Sequence, residues 1–276
     1  MIEVTRLFVY PVKGLRGIEL GSAELTAKGL RYDRQWMLVM PNGRMVTQRQ
    51  LPQMARLATR ITDQSLVITN DAGVELNIPL AELPGDLASV TVWRDEFQAQ
   101  LESAQTGEWL TAALDAPQPL RLARLPEQRI RPSNKTELAG HSAAFADAAP
   151  FLVTNQASLD ALNQQLQEQG LEQVPMERFR PNLVVEGLDA FAEYQGGELR
   201  AANYRLGLQY PSERCVVITT DQFSGERNEA GEPLNTLREM ETLAGTKGAY
   251  FGENAVLLNG AGETITVGDQ FEWVSA

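Results

Sequence analysis

The sequence predicts a mostly β protein, a barrel or sandwich with a few α-helices. Three observations point there. Short apolar runs with two-residue alternation recur along the chain at spacings of about 8–12 residues. Turn residues stand between them. Only three stretches carry helical periodicity.

Ile2 to Tyr10 and Ile18 to Leu25 alternate as strands. Gln35 to Met40 leads through Pro41-Asn42-Gly43 into Arg44 to Gln48, and Asn-Gly between apolar runs is the strongest short hairpin signal. Leu66 to Thr69 and Val74 to Ile78 flank Asn70-Asp71-Ala72-Gly73, a second hairpin. Val90 to Trp93 and Phe97 to Leu101 flank Arg94-Asp95-Glu96. Thr106 is placed to cap a helix over Gly107 to Leu114, with Trp109, Leu110 and Ala113 on one face. A better helix opens at Asn155 or Gln156. Leu159, Leu162 and Leu166 share its face, and Gly170 suits the position after its end. A third runs from about Leu234 to Leu243. The C-terminus returns to strands at Ala255 to Leu258, Thr264 to Val267 and Phe271 to Val274, with the turn Asn259-Gly260-Ala261-Gly262.

The helix-breaking run Asp115-Ala116-Pro117-Gln118-Pro119 marks a boundary, giving an N-terminal β-domain at 1–117 and a second domain at 118–276. Residues 121–135 carry Arg121, Arg124, Arg129, Arg131 and Lys135 against Glu127 and read as a loop, either solvated or lying over a site.

Composition narrows the chemistry. With 276 residues, 43% of them hydrophobic, the chain can bury a core. One Cys excludes an intrachain disulfide framework, a Cys-rich zinc site and a self-held iron–sulfur cluster. One His excludes poly-His metal sites, and any nucleophile–His machinery has only His141 to use. The net charge of −12 argues against a nucleic-acid partner, because phosphate backbones are held by excess Lys and Arg. Yet 20 of the 24 basic residues are Arg, whose planar fork grips phosphate. That hints at a local anion site, or reflects genomic bias and surface ion pairs. No stretch reaches the roughly 20 apolar residues of a membrane span. Pro11 and Lys13 interrupt the N-terminus before a signal peptide can form. The expectation is a cytoplasmic protein without a membrane partner.

Four segments hold residues suited to chemistry. Cys215, in Pro211-Ser212-Glu213-Arg214-Cys215, sits where a loop enters the apolar run Val216 to Ile218, read as a strand. Arg214 beside it favours a thiolate, a soft metal ligand. The plainer reading is a buried small hydrophobe. In Arg178-Phe179-Arg180-Pro181-Asn182, Pro181 is expected to hold Arg180 extended, so that Arg180 and Asn182 project to one side. That pair suits an anion or a heterocycle edge, or a structural ion pair. Lys13 follows a strand at a turn where Gly14 permits close backbone approach, although a Lys at a turn ordinarily faces solvent. Asp33 can orient Arg34 by a charge-assisted bond. Asp147 lies at a strand mouth before Phe151 to Thr154. The Gly-rich stretches match neither a P-loop nor a dinucleotide fingerprint.

Together these segments resemble the MOSC family, and more closely its branch with an added N-terminal β-barrel, which includes the mitochondrial amidoxime-reducing component and the bacterial YcbX protein. The residues that carry the resemblance are YPVKG at 10–14, GLRYDRQW at 29–36, MVTQRQ at 45–50, PFLVTNQASLDALN at 150–163, RFRPNLVVEG at 178–187, RCVVITTD at 214–221 and ITVGD at 265–269. The resemblance implies a MOSC-type β-barrel beside an N-terminal β-barrel domain. It implies that Cys215 ligates molybdenum held in a pterin dithiolene, the molybdopterin form of the molybdenum cofactor. It assigns Lys13, Arg34, Arg180 and Asn182 to the phosphate and pterin, Asp147 to an acid beside the cofactor, and Asp221 to an acid near the metal, in the catalytic group with Cys215.

The activity implied is two-electron reduction of N-hydroxylated (N–O) small molecules. Electrons would come from a separate iron–sulfur or flavin protein, since some relatives append a ferredoxin domain and this chain has a single Cys. The alternatives are a carrier of the cofactor or its sulfur without turnover, and an acidic globular domain with a degenerate site. Two departures stand out: Gly14 and Glu213 replace serines found in some relatives.

Overall fold

The computed structural model describes residues 1–81, 87–129, 131 and 136–275. The chain begins with β1 (Ile2–Val9), β2 (Val12–Lys13), β3 (Ile18–Leu20), β4 (Ser22–Thr26), β5 (Gly29–Leu30) and β6 (Trp36–Val39). Next come β7 (Ala58–Ile61), β8 (Ser65–Thr69), β9 (Glu75–Pro79), β10 (Leu87–Val92), β11 (Asp95–Leu101) and α1 (Ala104–Ala113). The second half holds β12 (Arg121–Arg124), β13 (Phe151–Asn155), α2 (Gln156–Glu168), β14 (Leu183–Glu186), β15 (Gly197–Arg200) and β16 (Arg205–Glu213). It ends with α3 (Leu234–Met240), β17 (Tyr250–Asn259), β18 (Thr264–Thr266) and β19 (Gln270–Val274).

Seven strands form a closed barrel in the order β14-β13-β17-β16-β15-β19-β1, and β1 pairs with β14 to shut the ring. Among the described residues, closure pairs every barrel strand on both sides, and β3 adds to β1 as well. Val4, Leu183, Leu206, Ala255 and Phe271 meet inside. Strands of the N-terminal half, joined by β12, build a five-stranded sheet, β10-β11-β12-β6-β2, and N-terminal strands alone build a three-stranded sheet, β7-β8-β9. Trp36, Leu38, Met54, Leu66 and Leu110 of α1 form the core between them. The mostly β prediction with few helices holds. Among the described residues no helix is long and apolar enough to cross a membrane.

The division at 117/118 separates the sequence but not the space. β1 belongs to the C-terminal barrel, and β4 pairs with β18. In the other direction β12 pairs with β11 and β6 of the N-terminal sheet. The two halves are laced together, which fixes the cleft between them.

The hairpin β8–β9 forms as read, whereas in β10–β11 the turn is Trp93-Arg94 rather than Arg94-Asp95-Glu96. Val92 pairs with Asp95 and Thr91 with Glu96, so Trp93 leaves the strand and the two acids join β11. At Asn42-Gly43 the chain turns back so that Val39 bridges Met45. Gly43 sits at φ +79, where a Cβ would meet the Ser89 carbonyl oxygen at 2.2 Å. Asn155 caps α2, its side chain accepting from Ala157 N at 3.2 Å, and Gly170 follows at φ +73. The cap of α1 is Ser103 rather than Thr106: its Oγ accepts from Thr106 N at 3.3 Å, so the helix starts earlier. The third helix stops at Met240, because Glu241 turns left-handed at φ 47.

The basic segment 121–135 is not the loop expected. Arg121–Arg124 is β12. Arg124 is buried, ion-paired to Glu102 at 2.7 Å and stacked 4.8 Å from the Trp36 ring centroid. Arg131 is buried too, paired with Asp95 at 2.8 Å. Lys135 lies outside the described residues.

Two carboxyls are buried against the barrel wall. Glu193, on the short turn Ala192–Gln195, accepts from Ser158 Oγ at 2.9 Å; Glu253, on β17, has Oε2 without a partner. Burial pushes Glu193 up to about 7, and burial plus the neighbouring Glu193 charge pushes Glu253 up to about 9. In the unfolded chain both ionise near the ordinary value of 4.5. The folded chain therefore binds more protons, and stability falls as pH rises from about 4.5 through about 9. Glu253→Gln removes much of that loss. The variant is expected to melt with wild type at pH 4.5 and to be more stable by on the order of 3 kcal/mol at pH 8. An increment independent of pH would reject the assignment.

Candidate functional site

A cleft of about 690 Å³ lies between the two halves. Lys13, Gly14, Arg34 and Trp93 line it from the N-terminal half. Asp147, Arg180, Asn182, Arg214 and Cys215 line it from the other. Six of the seven site residues read from the sequence are thus brought together.

Lys13 does not face solvent. It ends β2, is 6% exposed, and donates to the Phe145 carbonyl at 2.8 Å and to Asp147 Oδ1 at 2.5 Å. Burial pushes its ammonium below the ordinary value, and Asp147 works against that. Asp147 is open to the cleft, with its side chain 63% exposed. The surrounding protein disfavours its charge, but Lys13 and the Trp93 N–H more than offset this and hold the carboxyl at about 2. Gly14 turns the chain at φ +85, where a Cβ would meet Met54 Cε at 2.7 Å. A serine here would require Met54 to move.

Asp33 orients Arg34 as expected. The carboxylate is buried, accepts from Arg34 Nη1 at 2.6 Å, and takes the Tyr10 N–H at 2.9 Å. Arg34 also donates to Asn182 Oδ1 at 3.1 Å and to the Arg180 carbonyl at 3.0 Å. Asn182 is buried and ties strands together: Oδ1 accepts from Leu152 N at 3.1 Å and Nδ2 donates to the Phe8 carbonyl at 3.2 Å.

Arg180 is not extended. It adopts φ 55, ψ 48 as the left-handed cap of the short turn Met176–Phe179. A following proline disfavours the right-handed helical region, but here the chain leaves it through the left-handed well. Arg34 also has a positive φ, at 47. The guanidinium carbons of Arg34 and Arg180 lie 4.3 and 4.2 Å from the centroid of the Tyr10 ring. Arg180 Nη1 donates to Gln222 at 2.9 Å, whereas its Nη2 is buried without a partner. Burial pushes this guanidinium down to about 10. Gln222 forms a reciprocal amide pair with Gln48, which also donates to the Gly14 carbonyl at 2.7 Å. A continuous polar chain thus runs from the Lys13 turn to Arg180.

Cys215 is half-buried and lines the cleft. The run Val216 to Ile218 is not a strand. Val216–Thr219 is a 3-10 turn with Cys215 in its cap position, closed by Ile218 N donating to the Cys215 carbonyl at 3.1 Å. Arg214 is clamped to Ser212 Oγ at 2.9 Å and to the Phe179 carbonyl at 2.7 Å, leaving its Nε buried without a partner. Glu213 is exposed at the rim. Asp221 does not line the cleft. It pairs with Arg178 at 3.2 Å and accepts the N–H groups of Phe223 and Ser224 at 2.9 and 2.8 Å, shaping a turn. His141 is also outside the lining residues.

Sequence reasoning passed over Tyr10, the Gln48–Gln222 pair and Trp93 as site residues. Tyr10 and Gln48 fall inside the quoted segments, but nothing in the linear sequence says that two arginines stack on one ring.

Comparison with known proteins gives a consistent picture. The MOSC N-terminal beta barrel domain matches residues 1–117, and the MOSC domain matches residues 140–272. Mitochondrial amidoxime-reducing component 1 of Homo sapiens is 31% identical over 96% of this chain and 81% of its own length. The protein of the same name from Xenopus laevis is 32% identical over 85% of this chain and 70% of its own. A molybdenum cofactor sulfurase of Drosophila willistoni is 28% identical over 87% of this chain, which is 29% of that protein.

Proposed function

This chain belongs to the MOSC family, with the N-terminal β-barrel domain as well as the MOSC domain, and from that premise we propose that it is a molybdenum-cofactor oxidoreductase reducing N-hydroxylated compounds. The observation that carries the reading is the pairing, in one cleft of small-molecule size, of the only thiol with an unspent buried guanidinium donor, Arg180 Nη2. A soft metal ligand and an anion donor lining the same cleft fit a metal held by a phosphorylated pterin.

Cys215 would bind the metal. Arg180 would hold the phosphate with Nη2, and Lys13 would turn from Asp147 toward the same anion. Arg34 and Asn182 spend their donors inside the protein, so they keep the Arg180 turn in place more than they grip a ligand. Arg214 adds a cation beside Cys215 that suits anionic sulfur. When bound, the cofactor supplies the two-electron exchange that cleaving an N–O bond needs. Overall, the N–O bond breaks, the hydroxyl takes one proton from solvent and leaves as water, the nitrogen takes a second proton, and two electrons arrive from a donor. A single Cys cannot hold an iron–sulfur cluster, so the donor is a separate iron–sulfur or flavin protein.

The test is expression in a host that makes the cofactor. Molybdenum per chain is measured by mass spectrometry, pterin by fluorescence, and reduction of N-hydroxybenzamidine with a chemically reduced viologen as donor. Near-stoichiometric metal with steady reduction is expected. Protein that never acquires molybdenum or pterin would sink the reading. Loaded protein that reduces nothing would turn it into carriage of the cofactor.

A further inference from the structure

Of the chain's four tryptophans, Trp93 is the exposed one, at 44%, and it lines the cleft. It occupies the first turn position of the β10–β11 hairpin, between Val92 and its pairing partner Asp95. Its φ is 55. A two-residue hairpin turn with positive φ at its first position takes glycine by preference, and a bulky side chain there is strained. The fold alone gives no reason for tryptophan at this place.

Two contacts fix the ring. The indole N–H donates to Asp147 Oδ1 at 2.8 Å, the same carboxylate that pairs with Lys13. The Arg49 guanidinium carbon sits 4.5 Å from the ring centroid, and Arg49 also lines the cleft. A strained, oriented, solvent-facing aromatic wall therefore stands across the cleft from the half that carries Cys215. Preorganised aromatic surface of this kind rewards flat ligands by stacking.

We propose that Trp93, held by Asp147 and Arg49, is a specificity-determining residue that selects flat aryl N-hydroxylated substrates over saturated ones of equal size. The inference rests on the functional reading above. A ligand seated against Trp93 would have its N–O group directed into the cleft, with the aryl ring at the mouth.

The experiment compares N-hydroxybenzamidine with N-hydroxycyclohexanecarboxamidine, which have the same reacting group on a flat and a puckered ring. Binding to the cofactor-loaded protein is measured by calorimetry, and kcat/KM is measured with an artificial donor. Wild type is expected to prefer the aryl compound. Trp93→Gly relieves the turn strain, so it should melt no lower than wild type, yet lose the preference by about tenfold in the ratio of affinities. Trp93→Phe keeps a ring without the N–H and should retain most of the preference. A preference unchanged in Trp93→Gly, or both ligands weakened equally, would overturn the proposal. Aryl-selective binding lost in Trp93→Gly but unaccompanied by turnover in wild type would support the wall and reject the reductase reading.

Discussion

Cys215→Ala is expected to give a folded protein that retains no molybdenum and reduces nothing above background. Cys215 is half-buried and belongs to none of the main apolar clusters, so trimming it should cost less than about 1 kcal/mol of stability. Its proposed bond is the single protein ligand to the metal, and no other side chain in the cleft is a substitute thiol. Among the described residues no cluster of three His, Cys, Asp or Glu offers another metal site. Loss should therefore be complete rather than graded. Arg180→Ala should lower pterin retention along with metal, because it removes the anion donor and leaves the thiol. The measurements are metal analysis, pterin fluorescence and a thermal melt on each variant. Cys215→Ala that melts normally and still carries stoichiometric, normally coordinated molybdenum would remove the ligand assignment.

How much of this was legible depended on whether the signal was local. The hairpin at Asn42-Gly43 and the caps at Asn155 and Gly170 are set by backbone conformations that few residue types accept, so they can be read one turn at a time. β12 was missed because the charges of Arg121 and Arg124 outweigh its pattern. Arg124 is buried only because Glu102 and Trp36, from elsewhere in the chain, receive its guanidinium. The run Val216 to Ile218 misleads in the opposite direction. Its β-branched residues favour a strand locally, but β16 ends at Glu213, and the chain turns at Cys215 instead. The same turn presents the thiol to the cleft. Residue identities at the site were legible from the family resemblance. Their mutual geometry was not, since Arg34, Arg180 and Tyr10 meet only after β1 has closed a barrel whose other strands follow residue 150.

Asp33→Ala is expected to destabilise the protein by about 3–5 kcal/mol, the range for removing one partner of a buried ion pair. The corresponding fall in melting temperature is on the order of 10 °C. Asp33 is 4% exposed and accepts both the Tyr10 N–H and the Arg34 guanidinium. Without it Arg34 loses the one carboxylate it pairs with among the described residues. Arg180, itself buried, stacks on the same Tyr10 ring. A buried and a half-buried cation would then share one aromatic ring with no anion between them. Asp33→Asn keeps the shape and one acceptor, so it should cost less, and it secures the test if the alanine variant does not fold. The excess positive charge has a further consequence. An anion entering the cleft would neutralise part of it, so binding and folding become coupled. Added inorganic phosphate should therefore raise the melting temperature of Asp33→Asn more than that of wild type, and sodium chloride at equal ionic strength should not. Equal responses of the two proteins to phosphate would show that the guanidinium pair does not form an anion site.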